Sequence, residues 1–343
     1  MSVARLIGAV ERLPIPDPLL RAGVFALVRG TSRGTASAAP DASKAFAQDM
    51  VGRPIAIQTD NANRQHYEIP PEFFQTFLGE HRKYSCGYYE PGTTTLDAAE
   101  AAALARTAQN AGCVDGEDIL ELGCGWGSLS LWLAAQFPAA RIHSVSNSAS
   151  QCDFIRAEAA RRGLENLRLT TADMNTFDPG ETYDRIVSVE MFEHMSNWHA
   201  LMERAAGWLR PDGRLFLHVF AHRTTPYRFD HEDPVDWIAQ HFFAGGIMPS
   251  EDLIGAFPSF DVEQTWRWEG THYAKTAEAW LKNFDDNRAT LTPILTSVYG
   301  KDAELWRRRW RLFFLATSGL FGFNNGAEWG VLHALLKPTA PSP

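Results

Sequence analysis

The stretch that decides the fold is ILELGCGWGSLSLWLA, which runs from Ile119 to Ala134. It begins with aliphatic residues, as expected for the end of a buried strand, and leucine and tryptophan recur at helical spacing near its end. Between them, Gly123, Gly125 and Gly127 allow a sharp turn and a close approach of the backbone to a ligand. A strand, a glycine turn and a helix N-terminus together predict a nucleotide-type cofactor site.

The pattern of this turn favours one cofactor over another. It has the form E-x-G-x-G-x-G, with Glu121 two residues before Gly123, whereas dinucleotide sites follow G-x-G-x-x-G. A carboxylate here would repel a pyrophosphate but would attract the ammonium group of a methionine moiety. We therefore predict S-adenosylmethionine rather than NAD as the cofactor. The alternative is that the glycines only close a tight strand-to-helix connection.

Length, charge and cysteine content exclude several classes of protein. The 343 residues are 45% hydrophobic, which is enough for a large core, and a net charge of -9 argues against nucleic-acid binding. The four cysteines form no CxxC pair and no zinc-like cluster, so we expect no metal site and a cytoplasmic location. Apolar runs stay shorter than the ~18 to 20 residues that span a bilayer.

Two parts of the chain are predicted. Residues 1–53 form an N-terminal helical arm and linker, with an amphipathic helix at Val3–Leu13 and another at Leu19–Gly30. Residues 54–343 form an α/β domain, with an insertion at about 270–325 that would cap the acceptor pocket. Strands are expected at Ile119–Leu122, Arg141–Ser146, Leu167–Ala172, Tyr183–Val189, Arg214–Phe220, Phe260–Trp268 and Gly330–Pro338.

Ligands of such sheets bind beyond the carboxyl ends of the strands, and the residues there are polar. After the second strand come Asn147 and Gln151, where Asn147 is suited to contact a ribose. After the third strand come Asp173, suited to accept from an adenine amino group, and Met174, suited to pack on the ring. Ordinary surface polarity would explain any one of these residues but not all of them together.

A charged cluster follows the fourth predicted strand, in VEMFEHM. Glu190, Glu193 and His194 lie at i, i+3 and i+4, so in a helix their side chains share one face. A buried carboxyl group or a histidine near neutrality is suited to remove a proton from an ammonium group before methyl transfer. The alternative is a helix-capping cluster without a chemical role.

With further motifs, the chain resembles a known family. HYEIPPEFF, KYSCGYY, LELGCGWGSLSLWLA, RIVSVEMFEHM, HFFAGGIMPS, HYAKTAEAWL and FGFNNGAEW occur in order within Pro54–Pro338. Together they resemble the coclaurine N-methyltransferase group of the cyclopropane-fatty-acid-synthase superfamily. The resemblance implies a Rossmann-like class I methyltransferase fold with a mostly parallel seven-stranded sheet, and methyl transfer to a hydrophobic amine. It places cofactor contacts at Tyr84, Ser85, Gly123, Asn147, Gln151, Asp173 and Met174, and catalysis at Glu190, Glu193 and His194.

The same superfamily implies an alternative reaction, one-carbon transfer to the double bond of a phospholipid acyl chain. That reaction uses bicarbonate as a base, and the residues that resemble its ligands are Cys86, Glu193, His218 and Tyr273. Glu190 favours the amine, because lipid enzymes usually have a small residue at this position. If the acceptor is an amine, the expected binding partner is a hydrophobic small molecule. Peripheral membrane contact is expected for the alternative, and a homodimer is compatible with either.

Overall fold

The fold is described from a computed structural model that covers residues 8–39, 41–57, 69–233 and 235–339. The first residues of the predicted helix at Val3–Leu13, and Tyr67 in the motif HYEIPPEFF, lie outside the described residues. A seven-stranded sheet in the order β3-β2-β1-β4-β5-β9-β8 forms the centre. Its strands are β1 (Asp118–Leu122), β2 (Arg141–Ser146), β3 (Leu167–Thr171), β4 (Tyr183–Val189), β5 (Leu209–His222), β8 (Phe260–Glu269) and β9 (Trp329–Pro338).

The sheet is mostly parallel, as predicted. Strands β1 to β5 pair in parallel, and β9 joins β5 antiparallel before β8 closes the sheet against β9. The class I methyltransferase fold is therefore confirmed. All seven strands lie within two residues of their predicted bounds except β5, which begins at Leu209 rather than Arg214. The pair Tyr227–Arg228 (β6) and Ile247–Met248 (β7) forms a small second sheet.

Helices surround the sheet and extend beyond it. Those next to the strands are α4 (Leu96–Ala111), α5 (Ser128–Gln136), α6 (Ala149–Arg162) and α7 (Trp198–Gly207), whereas the short helices α3 (Pro71–Gln75) and α8 (Trp237–His241) belong to the apolar cluster of the cap. Three long helices between β8 and β9 form the cap: α9 (Gly270–Asp286), α10 (Arg288–Tyr299) and α11 (Ala303–Gly322). The arm contributes α1 (Asp17–Thr35) and α2 (Ala42–Met50). No helix within the described ranges is long and apolar enough to cross a bilayer.

Helix α1 packs on the cap. Val24 and Val28 are buried in the same apolar cluster as the aromatic residues of α9 and α11. Arg311 of α11 pairs with Asp17 at the start of α1 at 3.0 Å, and Arg21 makes two hydrogen bonds to the carboxylate of Glu278 in α9. The arm and the cap are therefore joined both by apolar packing and by ion pairs.

Helix α2 belongs to the body of the protein instead. Met50 is fully buried and Ala47 nearly so, in the apolar cluster that also holds the residues of β4 and β5. The Ser43 hydroxyl lies 2.8 Å from that of Ser250. Removal of the first 50 residues would therefore damage the body as well as the arm.

Candidate active site

The carboxyl ends of β1, β2, β3 and β4 open into a cavity of about 1100 Å³. Helix α1 and the cap line its other side. Of the ten Trp, Tyr and Phe residues from Trp266 to Phe314, only Tyr273, Trp280 and Phe313 reach the cavity. The predicted site residues that line this cavity are Tyr84, Ser85, Glu121, Gly123, Gly125, Asn147, Gln151, Asp173, Met174, Glu190, His194 and Tyr273. Cys86, Glu193 and His218 are fully buried behind the lining.

The glycine turn has the geometry that its sequence predicts, with one difference. Gly123, Gly125 and Gly127 all have positive φ angles, of 84°, 52° and 80°. A Cβ atom on Gly125 would meet nothing within 4 Å, so this backbone faces open cavity. A Cβ atom on Gly123 would lie 2.5 Å from the side chain of Met191, so packing against the chain itself, and not only a ligand, requires glycine here.

Glu121 is held at the end of β1 with one oxygen occupied. Its Oε2 accepts hydrogen bonds from the hydroxyls of Ser130 and Ser144, the latter at 2.7 Å. Burial raises the pKa of this carboxyl, and the two hydroxyls partly offset the effect. A cationic ammonium at the cavity wall would favour the charged form.

Several buried polar atoms of the cavity wall have no hydrogen-bond partner among the described residues. On the side of the glycine turn these include Trp126 Nε1, Ser128 Oγ and Gln151 Nε2. Buried donors of this kind ordinarily have partners, so their arrangement fits a ligand that carries hydroxyl or carboxylate acceptors. With the open backbone at Gly125, these groups fit S-adenosylmethionine. Trp126 and Ser128 were not singled out from the sequence, although both lie within the glycine turn and the helix start.

Glu190 has a conformation that the sequence did not suggest. Its φ is 46°, in the left-handed region, and only Phe192–His194 form a short 3₁₀ turn. The segment is therefore not the helix in which Glu190, Glu193 and His194 would share one face. The turn after β4 instead directs the Glu190 carboxylate to the cavity wall, where 8% of the side chain is exposed. Strained backbone of this kind is characteristic of functional sites.

Three donors from separate elements converge on the Glu190 carboxylate. The backbone N–H of Cys86 lies 2.9 Å from Oε1, and His218 Nε2 lies 3.2 Å from the same atom. The hydroxyl of Tyr273, in the cap, donates to Oε2 at 2.6 Å. The Cys86 thiol itself donates to the carbonyl of Gly87, so this residue acts on Glu190 through its backbone.

Glu193 and His194 differ in their access to the cavity. Glu193 is fully buried, accepts the Phe220 N–H at 2.7 Å through Oε1, and has no partner for Oε2 among the described residues. Burial and the nearby Glu190 charge raise its pKa well above the ordinary range. His194 lines the cavity, with its ring centroid 4.3 Å from that of Phe243.

A buried lysine balances this acidic cluster. Lys83 is 2% exposed, and its Nζ lies 2.5 Å from the Ser85 hydroxyl and 2.8 Å from the Cys86 carbonyl. Burial raises the pKa of Glu190, and the positive charge of Lys83 opposes that rise. Sequence reasoning missed Lys83, because lysine is ordinarily exposed and its place in KYSCGYY was the only signal.

Bicarbonate does not fit beside this arrangement. Of the groups that resemble its ligands, Cys86, His218 and Tyr273 already contact the Glu190 carboxylate, which has the planar shape and charge of the ion. A second anion there would meet the Glu190 charge in a buried setting. Elsewhere among the described residues, no group of three or more His, Cys, Asp or Glu side chains is placed to hold a metal ion.

Comparison with known proteins relates the whole cavity to one family. Residues 56–325 match the family model of mycolic acid cyclopropane synthetase. The chain is 36% identical to an (S)-coclaurine N-methyltransferase of Thalictrum flavum subsp. glaucum over 82% of this chain and 80% of that protein. It is 27% identical to the cyclopropane-fatty-acyl-phospholipid synthase of Escherichia coli K12, over 78% of this chain and 66% of that protein.

A solved structure gives the same relationship in three dimensions. The crystal structure of a coclaurine N-methyltransferase bound to N-methylheliamine and SAH superposes with a TM-score of 0.94 at 32% identity, and covers 98% of this chain and all of that one. The match extends over the sheet, the cap and the described part of the arm. The chain therefore belongs to the mycolic acid cyclopropane synthetase family, within the superfamily of S-adenosylmethionine-dependent methyltransferases.

Proposed function

We propose that this enzyme transfers a methyl group from S-adenosylmethionine to the nitrogen of a hydrophobic amine. The observation that carries the proposal is the Glu190 carboxylate, which Cys86, His218 and Tyr273 hold at the wall of an apolar cavity. A fixed anion at the wall of an apolar pocket favours an ammonium over a neutral alkene. The named activities of the relatives support the amine as well.

The acceptor side of the cavity supports the same substrate class. It is lined mainly by apolar and aromatic side chains, and its charged groups there, Asp233 and Asp236, are acidic. The basic side chains of the lining, Arg82 and Lys83, both lie in the segment before Tyr84. A hydrophobic amine in its cationic form is therefore favoured over a lipid with an anionic headgroup. The acceptor-side rings and aliphatic groups are Val24, Val28, Phe220, Tyr227, Phe229, Phe243, Phe313 and Phe321.

The chemistry needs one proton transfer and one substitution. Glu190 holds the ammonium form of the acceptor by charge, and the proton then passes to His194 at the cavity wall, with Glu193 as the adjacent carboxyl that stabilises or relays it. The freed nitrogen lone pair attacks the methyl carbon in line at about 3 to 3.5 Å. When bound, S-adenosylmethionine supplies that methyl as an activated electrophile. S-adenosylhomocysteine would leave with the electrons of the C–S bond on sulfur, and the acceptor would become an N-methylated ammonium.

A labelling experiment tests the proposal against the lipid alternative. The enzyme is incubated with methyl-labelled S-adenosylmethionine and either a panel of secondary and tertiary amines or vesicles of unsaturated phospholipid. We expect label in the amine fraction and a mass gain of one methyl group. Label confined to the lipid, with one methyl or methylene gained per acyl chain, would contradict the proposal.

A substitution on the arm should weaken acceptor binding alone. Val28 of α1 is 6% exposed and lines the cavity, so Val28→Asp is expected to raise the acceptor KM about tenfold or more, equivalent to about 1.4 kcal/mol. The affinity for cofactor should stay unchanged, because the glycine turn lies on the opposite wall. Steady-state kinetics and calorimetry measure the two effects separately.

The matched control is Ala22→Asp, which adds the same charge on the exposed side of α1. It should leave the acceptor KM and the affinity for cofactor near those of the parent enzyme. Removing residues 1–39 should act like Val28→Asp, since α2 and its contacts with the body remain. Equal losses of acceptor and cofactor binding would count against a role of the arm in the acceptor pocket.

The pH profile of turnover should show an acid limb above the usual glutamate range. Burial raises the pKa of Glu190, and the nearby charged groups Lys83 and His194 oppose this rise. The pKa of the neighbouring Glu193 is also raised. As pH falls, Glu190 gains its proton and loses its attraction for the ammonium, so kcat/KM falls at a higher pH than the ~4.3 of a free glutamate. A profile that stays flat down to that pH would rule out this role.

A further inference from the structure

A buried chain of polar side chains runs from Glu190 to the last turn of α4, and the chemistry described above does not use it. His218 Nε2 faces Glu190 Oε1 at 3.2 Å, and His218 Nδ1 faces His333 Nε2 at 2.9 Å. His333 Nδ1 in turn faces the Nδ2 amide of Asn110 at 3.0 Å. His218 and His333 are fully buried and Asn110 is 7% exposed. The three residues come from β5, β9 and the last turn of α4.

The backbone fixes this chain. His218 and His333 are register partners in the antiparallel pair of β5 and β9, so their side chains project on the same face of the sheet. Their ring centroids lie 4.7 Å apart, and Trp268 packs against both rings. The two imidazoles therefore have little freedom to reorient.

The order of donors along the chain follows from its far end. The Asn110 Nδ2 group can only donate, so His333 Nδ1 is an acceptor and a neutral His333 carries its proton on Nε2. That proton points at His218 Nδ1, which is then an acceptor, so the His218 proton lies on Nε2 and points at Glu190. Burial lowers the pKa of both histidines well below the usual value, and the positive charge of Lys83 adds to the effect, so both rings are neutral.

We propose that Asn110 and His333 are positioning residues of the methyl transfer, because together they fix His218 in the Nε2–H tautomer that donates to the Glu190 carboxylate. The reverse order would leave a lone pair of His218 facing Glu190, which would then have to be protonated to make the same contact. Only the proposed order keeps Glu190 as an anion with three donors. The role in turnover rests on the proposed function, whereas the tautomers themselves do not.

The test reads the tautomers directly. Long-range ¹H–¹⁵N spectra of the full-length protein labelled with ¹⁵N-histidine distinguish Nδ1–H from Nε2–H rings, and His218→Gln and His333→Gln assign the two signals among the 11 histidines. We expect the Nε2–H form for both rings in the parent protein. An Nδ1–H or doubly protonated ring at either position would overturn the proposal, whether or not any variant folds.

Asn110→Leu removes the donor at similar volume. We expect the Nδ1–H form of both His218 and His333 to appear. We also expect a fall in kcat of about 10- to 100-fold, by analogy with the loss of a hydrogen-bond partner that orients a histidine ligand of a metal, and an unchanged cofactor affinity. A lower kcat with unaltered tautomers would mean a merely structural role, and altered tautomers with an unaltered kcat would mean no role in the reaction. Either result overturns the proposal.

Two controls separate this idea from the proposed function. Asn166→Leu removes another asparagine, which donates to the carbonyls of Ala134, Phe137 and Ala140 far from Glu190, and should alter neither the tautomers nor kcat. The signals of His143, bonded to Tyr183 and Thr170, serve as an internal reference. If no amine is methylated but the parent tautomers are as expected, the proposed function fails and the tautomer assignment stands.

Discussion

Glu190→Gln is expected to lower kcat for amine methylation by about 10²- to 10⁴-fold, the range associated with a positioned acid or base group. The substitution keeps the shape of the side chain but removes its charge. It also turns an NH₂ group toward at least one of three donors, the Cys86 N–H, the Tyr273 hydroxyl and His218 Nε2. Both changes weaken the binding of the ammonium form of the acceptor. Rapid-quench kinetics under single-turnover conditions measure the methyl-transfer step directly.

The matched control for Glu190→Gln is Glu100→Gln. Glu100 is a fully buried glutamate outside the cavity wall, whose oxygens accept the backbone N–H groups of Gly79 and His81 at 2.8 and 2.9 Å. Burial raises its pKa to about 7, so it is partly neutral at physiological pH, and its loss should affect stability more than turnover. Equal kcat values for the two variants would show that Glu190 has no specific role in turnover.

Glu190→Gly extends the same test to the anion site. Glycine suits the left-handed backbone at this position and leaves the Cys86, Tyr273 and His218 donors unpaired. Added formate or bicarbonate should then restore part of the lost activity, because a small planar anion fits the vacated donors. Such anions should not stimulate the parent enzyme, whose donors Glu190 already occupies. Stimulation of the parent by bicarbonate would favour the lipid alternative.

Gly123→Val is expected to weaken S-adenosylmethionine binding by more than about 100-fold. A β-branched residue at a φ of 84° is strained by about 1 to 2 kcal/mol, and its Cβ would lie 2.5 Å from the Met191 side chain. Overpacking of that kind costs about 1 to 3 kcal/mol more. The turn must therefore move, and with it the open backbone at Gly125. Isothermal titration calorimetry with S-adenosylmethionine and S-adenosylhomocysteine measures the loss.

Gly163→Ala is the control for the glycine turn. Gly163 also has a positive φ, of 68°, but caps α6 at the surface, where a Cβ would meet nothing within 4 Å. It should cost some stability and leave cofactor binding intact. Circular dichroism at the assay temperature shows whether each variant is folded. A folded Gly123→Val enzyme that binds cofactor normally would contradict the assignment of this turn.

Local pattern was enough to predict the sheet and the cofactor turn. Ile119, Leu120 and Leu122 are apolar because β1 lies between β2 and β4 and all five of its residues are buried. Such a strand leaves a signature in its own residues, as does a turn that requires positive φ. The polar residues after β2 and β3 line one cavity for a similar reason, since parallel strands end at the same edge of a sheet.

Only the tertiary structure decided how the acidic cluster is built. The spacing of Glu190, Glu193 and His194 suggested one helical face, but the short turn after β4 places Glu190 in a left-handed conformation, and spacing alone does not specify that backbone. Its three donors come from Cys86, His218 and Tyr273, separated by up to 187 positions in the chain. Long-range contacts of this kind arise from packing of distant elements, and no local pattern encodes them. For the same reason, Lys83 and the hydrogen-bonded chain from His218 to Asn110 could be identified only once their burial and their partners were known. The strand β1, the glycine turn and the class of cofactor, in contrast, follow from the sequence alone.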